Sequence, residues 1–237
     1  MALYALSDTH LSTAIEKPMD IFGSRWKDHT QKICDRWNKL ITDEDTVVIG
    51  GDISWALTPD EAAGDLKFLD SLTGRKILLK GNHDYWWTTL KKLDELFKRE
   101  SITTIEVMQN NSVVRDGFAI CGTRGWYSDP ESNPNNNCDH KKIVAREVMR
   151  LRMSLDSAKD AEGERIVFTH FPPVMSDYIF RELIDVMHEY GVKRCYYGHI
   201  HGNYTLPPCT EFEGIRFSIV SADYLDFYPK PIRHENI

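Results

Sequence analysis

Five short groups of metal-ligating side chains, each placed directly after a run that reads as a β-strand, constrain this chain more than any other feature. Asp8-Thr9-His10 follows the run Ala2 to Ser7, and Gly51-Asp52 follows Thr46 to Gly50. Gly81-Asn82-His83-Asp84 follows Lys76 to Lys80, His170 follows Arg165 to Thr169, and Gly198-His199-Ile200-His201 follows Arg194 to Tyr197. Open α/β sheets bind ligands at the carboxyl ends of their strands, so residues far apart in sequence converge there on one rim. Each group alone is a weak signal: Asp-x-His and Gly-Asp arise by chance, Asn-His-Asp also makes turns, and a lone histidine is usually packed. Five groups in order, each after a strand, leave chance a poor explanation.

The strand-like runs alternate with helical periodicity, which sets the class as α/β. Further strands are expected at Phe118 to Cys121 and Ile215 to Val220. Trp26, Ile33, Trp37 and Leu40 share one helical face, and Thr58-Pro59-Asp60-Glu61 forms a capping box with proline at the first helical position. Three more helices are expected around Leu90 to Phe97, Val144 to Leu155, and Phe180 to Met187, the last ending near Gly191. Ser128 to His140 lacks periodicity and reads as a long surface loop, a candidate lid. With 237 residues and neither linker nor internal repeat, a single domain over 1–237 is expected.

Composition narrows the partners. A net charge of −7 disfavours polymeric nucleic acid and anionic membranes. No apolar run is long enough to span a bilayer, and Asp8 stands too close to the start for a secretion leader, so the expected location is cytoplasmic. Five scattered cysteines without a Cys-x-x-Cys pair read as reduced thiols.

Hydrolysis of a phosphate ester needs a nucleophile at neutral pH and relief of charge on the phosphoryl oxygens, and a pair of metal ions supplies both. A nitrogen and oxygen ligand set suits manganese, iron, zinc or cobalt and disfavours a calcium cage. The ordered set Asp-x-His, Gly-Asp, Gly-Asn-His-Asp, His, Gly-His-x-His, from Asp8 to His201, resembles the calcineurin-like metallophosphoesterase family. Gly50-Gly51-Asp52-Ile53-Ser54-Trp55 and Lys80-Gly81-Asn82-His83-Asp84-Tyr85-Trp86-Trp87 resemble an uncharacterised bacterial branch of predicted phosphohydrolases within it.

The resemblance implies a four-layered α/β/β/α sandwich of two mixed β-sheets flanked by helices. It implies two transition-metal ions, one held by Asp8, His10 and His201, the other by Asn82, His170 and His199, with Asp52 bridging. A bridging hydroxide would then attack phosphorus in line with the leaving oxygen. His83 matches the residue that reaches the leaving group, and Asp84 is expected to hold it protonated through a charged hydrogen bond.

The remaining candidates carry two readings each. Arg124, beside Trp126, either clamps a substrate phosphate or forms an ordinary salt bridge. Trp55, Trp86, Trp87, Trp126 and Tyr127 either line the site as a stacking wall or belong to the core. His29, His140, His188 and His234 read as surface residues, and Asp223, Tyr224 and Asp226 sit near the cleft edge without a spacing argument. The expected substrate is a small phosphoester, with a slight preference for a diester over a monoester or phosphoprotein. A non-catalytic protein-binding scaffold on the same fold, and a nuclease, are the competing classes.

Overall fold

The computed structural model of the chain describes residues 1–126, 137–176 and 178–234, with the side chains of 137–139 left aside. Thirteen strands occur among them: β1 Leu3–Leu6, β2 Thr46–Ile49, β3 Arg75–Leu78, β4 Ile105–Val107, β5 Val113–Arg115, β6 Phe118–Thr123 and β7 Glu164–Thr169. Beyond these lie β8 Val174–Met175, β9 Tyr178–Ile179, β10 Arg194–Tyr197, β11 Cys209–Phe212, β12 Ile215–Ile219 and β13 Lys230–Ile232. The helices are α1 His29–Leu40, α2 Pro59–Ser71, α3 Leu90–Glu100, α4 Asn137–Asp156 and α5 Arg181–Glu189.

One sheet has the order β13-β1-β2-β3-β4 and the other β11-β12-β10-β7-β6-β5, and β8 and β9 form a separate small hairpin. Parallel pairs make up the middle of each sheet, and antiparallel strands close β13, β5 and β11 edges, so both sheets are mixed. Alternation along each strand divides the core into three layers. In β1, Leu3 and Ala5 face the seam between the sheets, where they join Phe118, Ile166 and Phe168; Leu6 faces outward to Ile33, Trp37 and Leu66 of the first helical layer. In β7, Val167 turns the other way and packs with Leu151, Leu183 and Met187 of α4 and α5. The architecture is the expected α/β/β/α sandwich.

The Thr58 capping box opens α2 as read from sequence, its side chain accepting from the Glu61 N–H. Two expectations need correction. Trp26 precedes α1 in a short 3-10 turn, because Asp28 adopts a left-handed conformation and the helix starts only at His29. The loop expected through His140 ends earlier, since Asn137 already begins α4; the rest of that segment, and Tyr127 with it, lies outside the described residues. No described helix is long and apolar enough to cross a membrane.

Candidate metal centre

The two sheets meet at one rim. The Ser7 N–H donates to the Val220 carbonyl at 2.8 Å, joining the end of β1 to the residue after β12. Beyond that junction the loops after β1, β2 and β3 face those after β7 and β10, and all five sequence groups come together there. Asp8, His10 and His201 offer ligand atoms within 4.8 Å of one another, and so do Asp52, His170 and His199. Asn82 joins the second group, its Oδ1 lying 2.8 Å from His170 Nε2. Asp52 Oδ2 stands between the groups, 3.8 Å from His10 Nε2 and 3.3 Å from His170 Nε2.

The backbone is bent to achieve this. Asp8, His10, Asp52 and His199 all have positive φ, a conformation uncommon outside glycine and concentrated at functional sites. Close approach demands glycine at position 81, where a Cβ would lie 2.1 Å from the Asp52 backbone nitrogen and side-chain oxygen. A Cβ at Gly198 would likewise meet Asp8 Oδ2 at 2.4 Å.

The donor chemistry fits metal ions. His170 Nδ1 hydrogen-bonds the Gly50 carbonyl at 3.1 Å, which places the proton on Nδ1 and leaves Nε2 as a lone pair facing Asn82 and Asp52. His201 Nδ1 similarly faces Asp223 Oδ1 at 3.0 Å, directing Nε2 toward Asp8 and toward His10 Nε2, which is 3.1 Å away. Two imidazole nitrogens face to face beside buried carboxylates make a site that a cation satisfies. The electrostatics agree. Burial opposes the Asp8 charge, yet His201, His170 and His10 hold its carboxyl well below the usual range. Burial also works against charging His201, but Asp8 and Asp223 push it up to about 10. His10 and His199, dominated by burial, fall to about 3 and about 4. The two groups are two possible metal sites, and Asp52 Oδ2 lies between them.

Asp223 is the residue that sequence reasoning left without a role. It is buried and accepts from His201 Nδ1, from the Gly202 N–H at 2.9 Å and from the Tyr204 hydroxyl at 3.1 Å. Such a carboxylate fixes the orientation and tautomer of a metal-binding histidine, so Asp223→Ala is expected to lower metal affinity by about 10- to 100-fold. Calorimetric metal titration checks this; unchanged affinity would leave Asp223 a purely structural acid. Its neighbours do other work: Tyr224 donates to the Leu206 carbonyl and Asp226 pairs with Arg36.

His83 lies beside the first group, its ring centroid 5.8 Å from that of His10 and 4.5 Å from Trp55. Its N–H donates to Asp52 Oδ1 at 2.8 Å, while its ring Nδ1 has no partner among the described residues. Burial lowers its pKa. Asp84 does not hold this ring as expected. Its carboxylate turns inward and accepts from the Gly81, Ile53 and Ser54 N–H groups and from Trp86 Nε1, because those loop donors are buried and need an acceptor. Burial and the Asp52 charge push Asp84 up to about 6 against the pull of those donors.

Arg124 follows β6, and its carbonyl accepts the His170 and Phe171 N–H groups, both at 3.0 Å. Its guanidinium is 3.8 Å from Glu147 and 5.4 Å from the Trp126 ring centroid. The aromatic wall divides among the described residues: Trp86 is core, Trp87 donates to Gln109, Trp126 packs on Phe171, and Trp55 stacks on His10, at 4.8 Å. Trp26, read from sequence only as part of a helical face, meets the His201 and His10 rings edge on. His29 is not a surface residue; it is buried against Trp26, with Nε2 3.1 Å from the His10 carbonyl. His234 is exposed but stacks on Phe118, and His188 faces Glu213. Cys34, Cys121, Cys195 and Cys209 are free, and burial pushes the Cys121 and Cys195 thiols up to about 12, which suits inert packing.

Comparison with solved structures places the same fold in distant relatives. Phosphopantetheinyl hydrolase from Mycobacterium tuberculosis is 16% identical, with a TM-score of 0.59 covering 99% of this chain and 96% of that one. A protein of unknown function from Aquifex aeolicus is 19% identical, with a TM-score of 0.50 covering 97% and 95%. A third, from Thermus thermophilus, is 11% identical with a TM-score of 0.56, covering 94% and 89%. No curated protein matches significantly. Residues 1–203 match the family described as calcineurin-like phosphoesterase, which spans every group assembled at the rim; the chain belongs to that family and is a metallophosphoesterase.

Proposed function

We propose that the chain hydrolyses a small phosphoester, preferentially a diester, at a dinuclear centre formed by Asp8, His10, Asp52, Asn82, His170, His199 and His201. The observation that carries this reading is the Asp52 carboxylate, set between the two histidine groups and hydrogen-bonded to the His83 N–H. Metal ions bound there supply a nucleophile at neutral pH and neutralise charge on the phosphoryl group. Both sheets contribute residues, Asp8, Asp52 and Asn82 from one and His170, His199 and His201 from the other, so residues 1–237 are proposed to work as one domain.

His83 is proposed to protonate or stabilise the leaving oxygen. Its ring edges an apolar cavity of about 600 Å³ that is also lined by His10, Met19, Trp26, Trp55 and His201. A diester carries two organic groups, and this cavity offers one of them a flat, largely apolar seat next to the ions. A binding scaffold would need neither an unpartnered ring nitrogen at this position nor an adjoining cavity. His83→Ala is expected to retain both metals and lose at least about tenfold in rate. Retained rate with both ions bound would remove His83 from the chemistry.

The diester preference is tested by turnover of bis(p-nitrophenyl) phosphate against p-nitrophenyl phosphate, after loading with manganese. Faster diester cleavage is expected; faster monoester cleavage would move the reading to a phosphatase.

A further inference from the structure

We infer that a basic cavity bordering the His170 side of the site binds a second oxyanion, a phosphate or carboxylate group carried by the same molecule whose ester is cleaved. The identity of that molecule as substrate rests on the phosphoester reading; the anion site itself does not.

The cavity measures about 430 Å³ and shares no lining residue with the apolar one. Lys80 enters it from the end of β3, Arg124 from the end of β6, and Arg146 and Arg150 from successive turns of α4. No acidic residue lines it among the described residues. Glu147 lies behind the cations, but its buried carboxylate is already engaged by the Thr123 hydroxyl at 2.6 Å, the Gly125 N–H at 3.1 Å and Arg150 Nη1 at 2.6 Å. Lys80 and Arg146 have no ion-pair partner among the described residues, and Arg124 Nε is buried without a hydrogen bond. Four cations around one satisfied carboxylate repel one another, and like charges four apart on a helix disfavour it further. An oxyanion relieves this, and guanidinium forks match its geometry. In a chain with net charge −7 this concentration is not a by-product of composition.

Its position ties it to the metal centre. Lys80 stands two residues before Asn82, and the Arg124 carbonyl accepts the His170 N–H. The apolar cavity touches His10 and His201 instead. The rim therefore offers an ester two different seats, apolar on one flank and anionic on the other.

Calorimetric titration of the metal-loaded full chain tests this, first with sulfate and then with alkane bisphosphonates of increasing length set against the matching monophosphonates. Arg146 is exposed on α4, so Arg146→Glu is expected to fold normally and to leave turnover of bis(p-nitrophenyl) phosphate within about threefold. In the wild type one bisphosphonate is expected to bind at least about tenfold tighter than its monophosphonate, by engaging both sites at once. Arg146→Glu should abolish that gain and weaken sulfate binding about tenfold, with Arg146→Lys restoring part of both. Equal sulfate affinity in wild type and Arg146→Glu, or a bisphosphonate advantage that survives Arg146→Glu, overturns the proposal. The expected binding pattern without any ester turnover supports the cavity and overturns the hydrolase reading alone.

Discussion

Asp52→Asn is expected to reduce phosphodiester hydrolysis by about 10³-fold, the largest loss of activity from any single substitution in this chain. The exchange keeps the shape of the side chain and one acceptor oxygen, so the bond from the His83 N–H survives and the loops stay in place. What changes is charge. Asp52 is a buried carboxylate at the rim, and its Oδ2 faces both His10 and His170. A neutral amide there leaves the two groups without their shared anion, so each ion is bound more weakly and their charges are less well balanced. Hydrolysis rates at saturating manganese check the prediction; a loss below about tenfold would mean that Asp52 is not shared between ions.

Asp84→Ala is expected to cost about 4 kcal/mol of stability, the largest effect on folding near the site. The Asp84 carboxylate is fully buried and binds N–H groups at 2.7 Å (Gly81), 2.8 Å (Ile53) and 3.2 Å (Ser54), with Trp86 Nε1 at 3.0 Å. It thereby ties the loop after β2 to the loop after β3, the two loops that carry Asp52 and Asn82. Truncation strands four buried donors together, and the cost of each is that of an unmade hydrogen bond in a site closed to water. Thermal unfolding should show a drop of roughly 10 °C, with Asp84→Asn in between because it keeps one acceptor. A drop below roughly 3 °C would mean that water replaces the carboxylate.

The site was more legible in the sequence than its surroundings. The strands that carry the five groups are buried on both faces and so read as continuous apolar runs, and the groups at their ends keep fixed positions relative to them. Strands β4, β5, β11 and β13 went unread because they are short edges with half-exposed faces, as Val114 and Cys209 show. Their pairing is decided by a neighbour distant in sequence. Asp223 eluded assignment for a similar reason: its partner His201 is 22 residues away, and only the junction of the two sheets brings them together. Asp84 was misread because an acid beside a histidine suggests a pair, whereas burial turned it toward backbone donors. Ser128 to His140 reads as loop because it lacks apolar periodicity, yet Asn137 to His140 already belong to α4.

The central claim, that two metal ions share Asp52, is tested most directly by elemental analysis of the full chain after metal loading and removal of excess ion. The account predicts two ions per chain in the wild type and a loss of at least one in Asp52→Asn under the same conditions. A wild type that holds a single ion, or an Asp52→Asn chain that holds two with undiminished affinity, would contradict it.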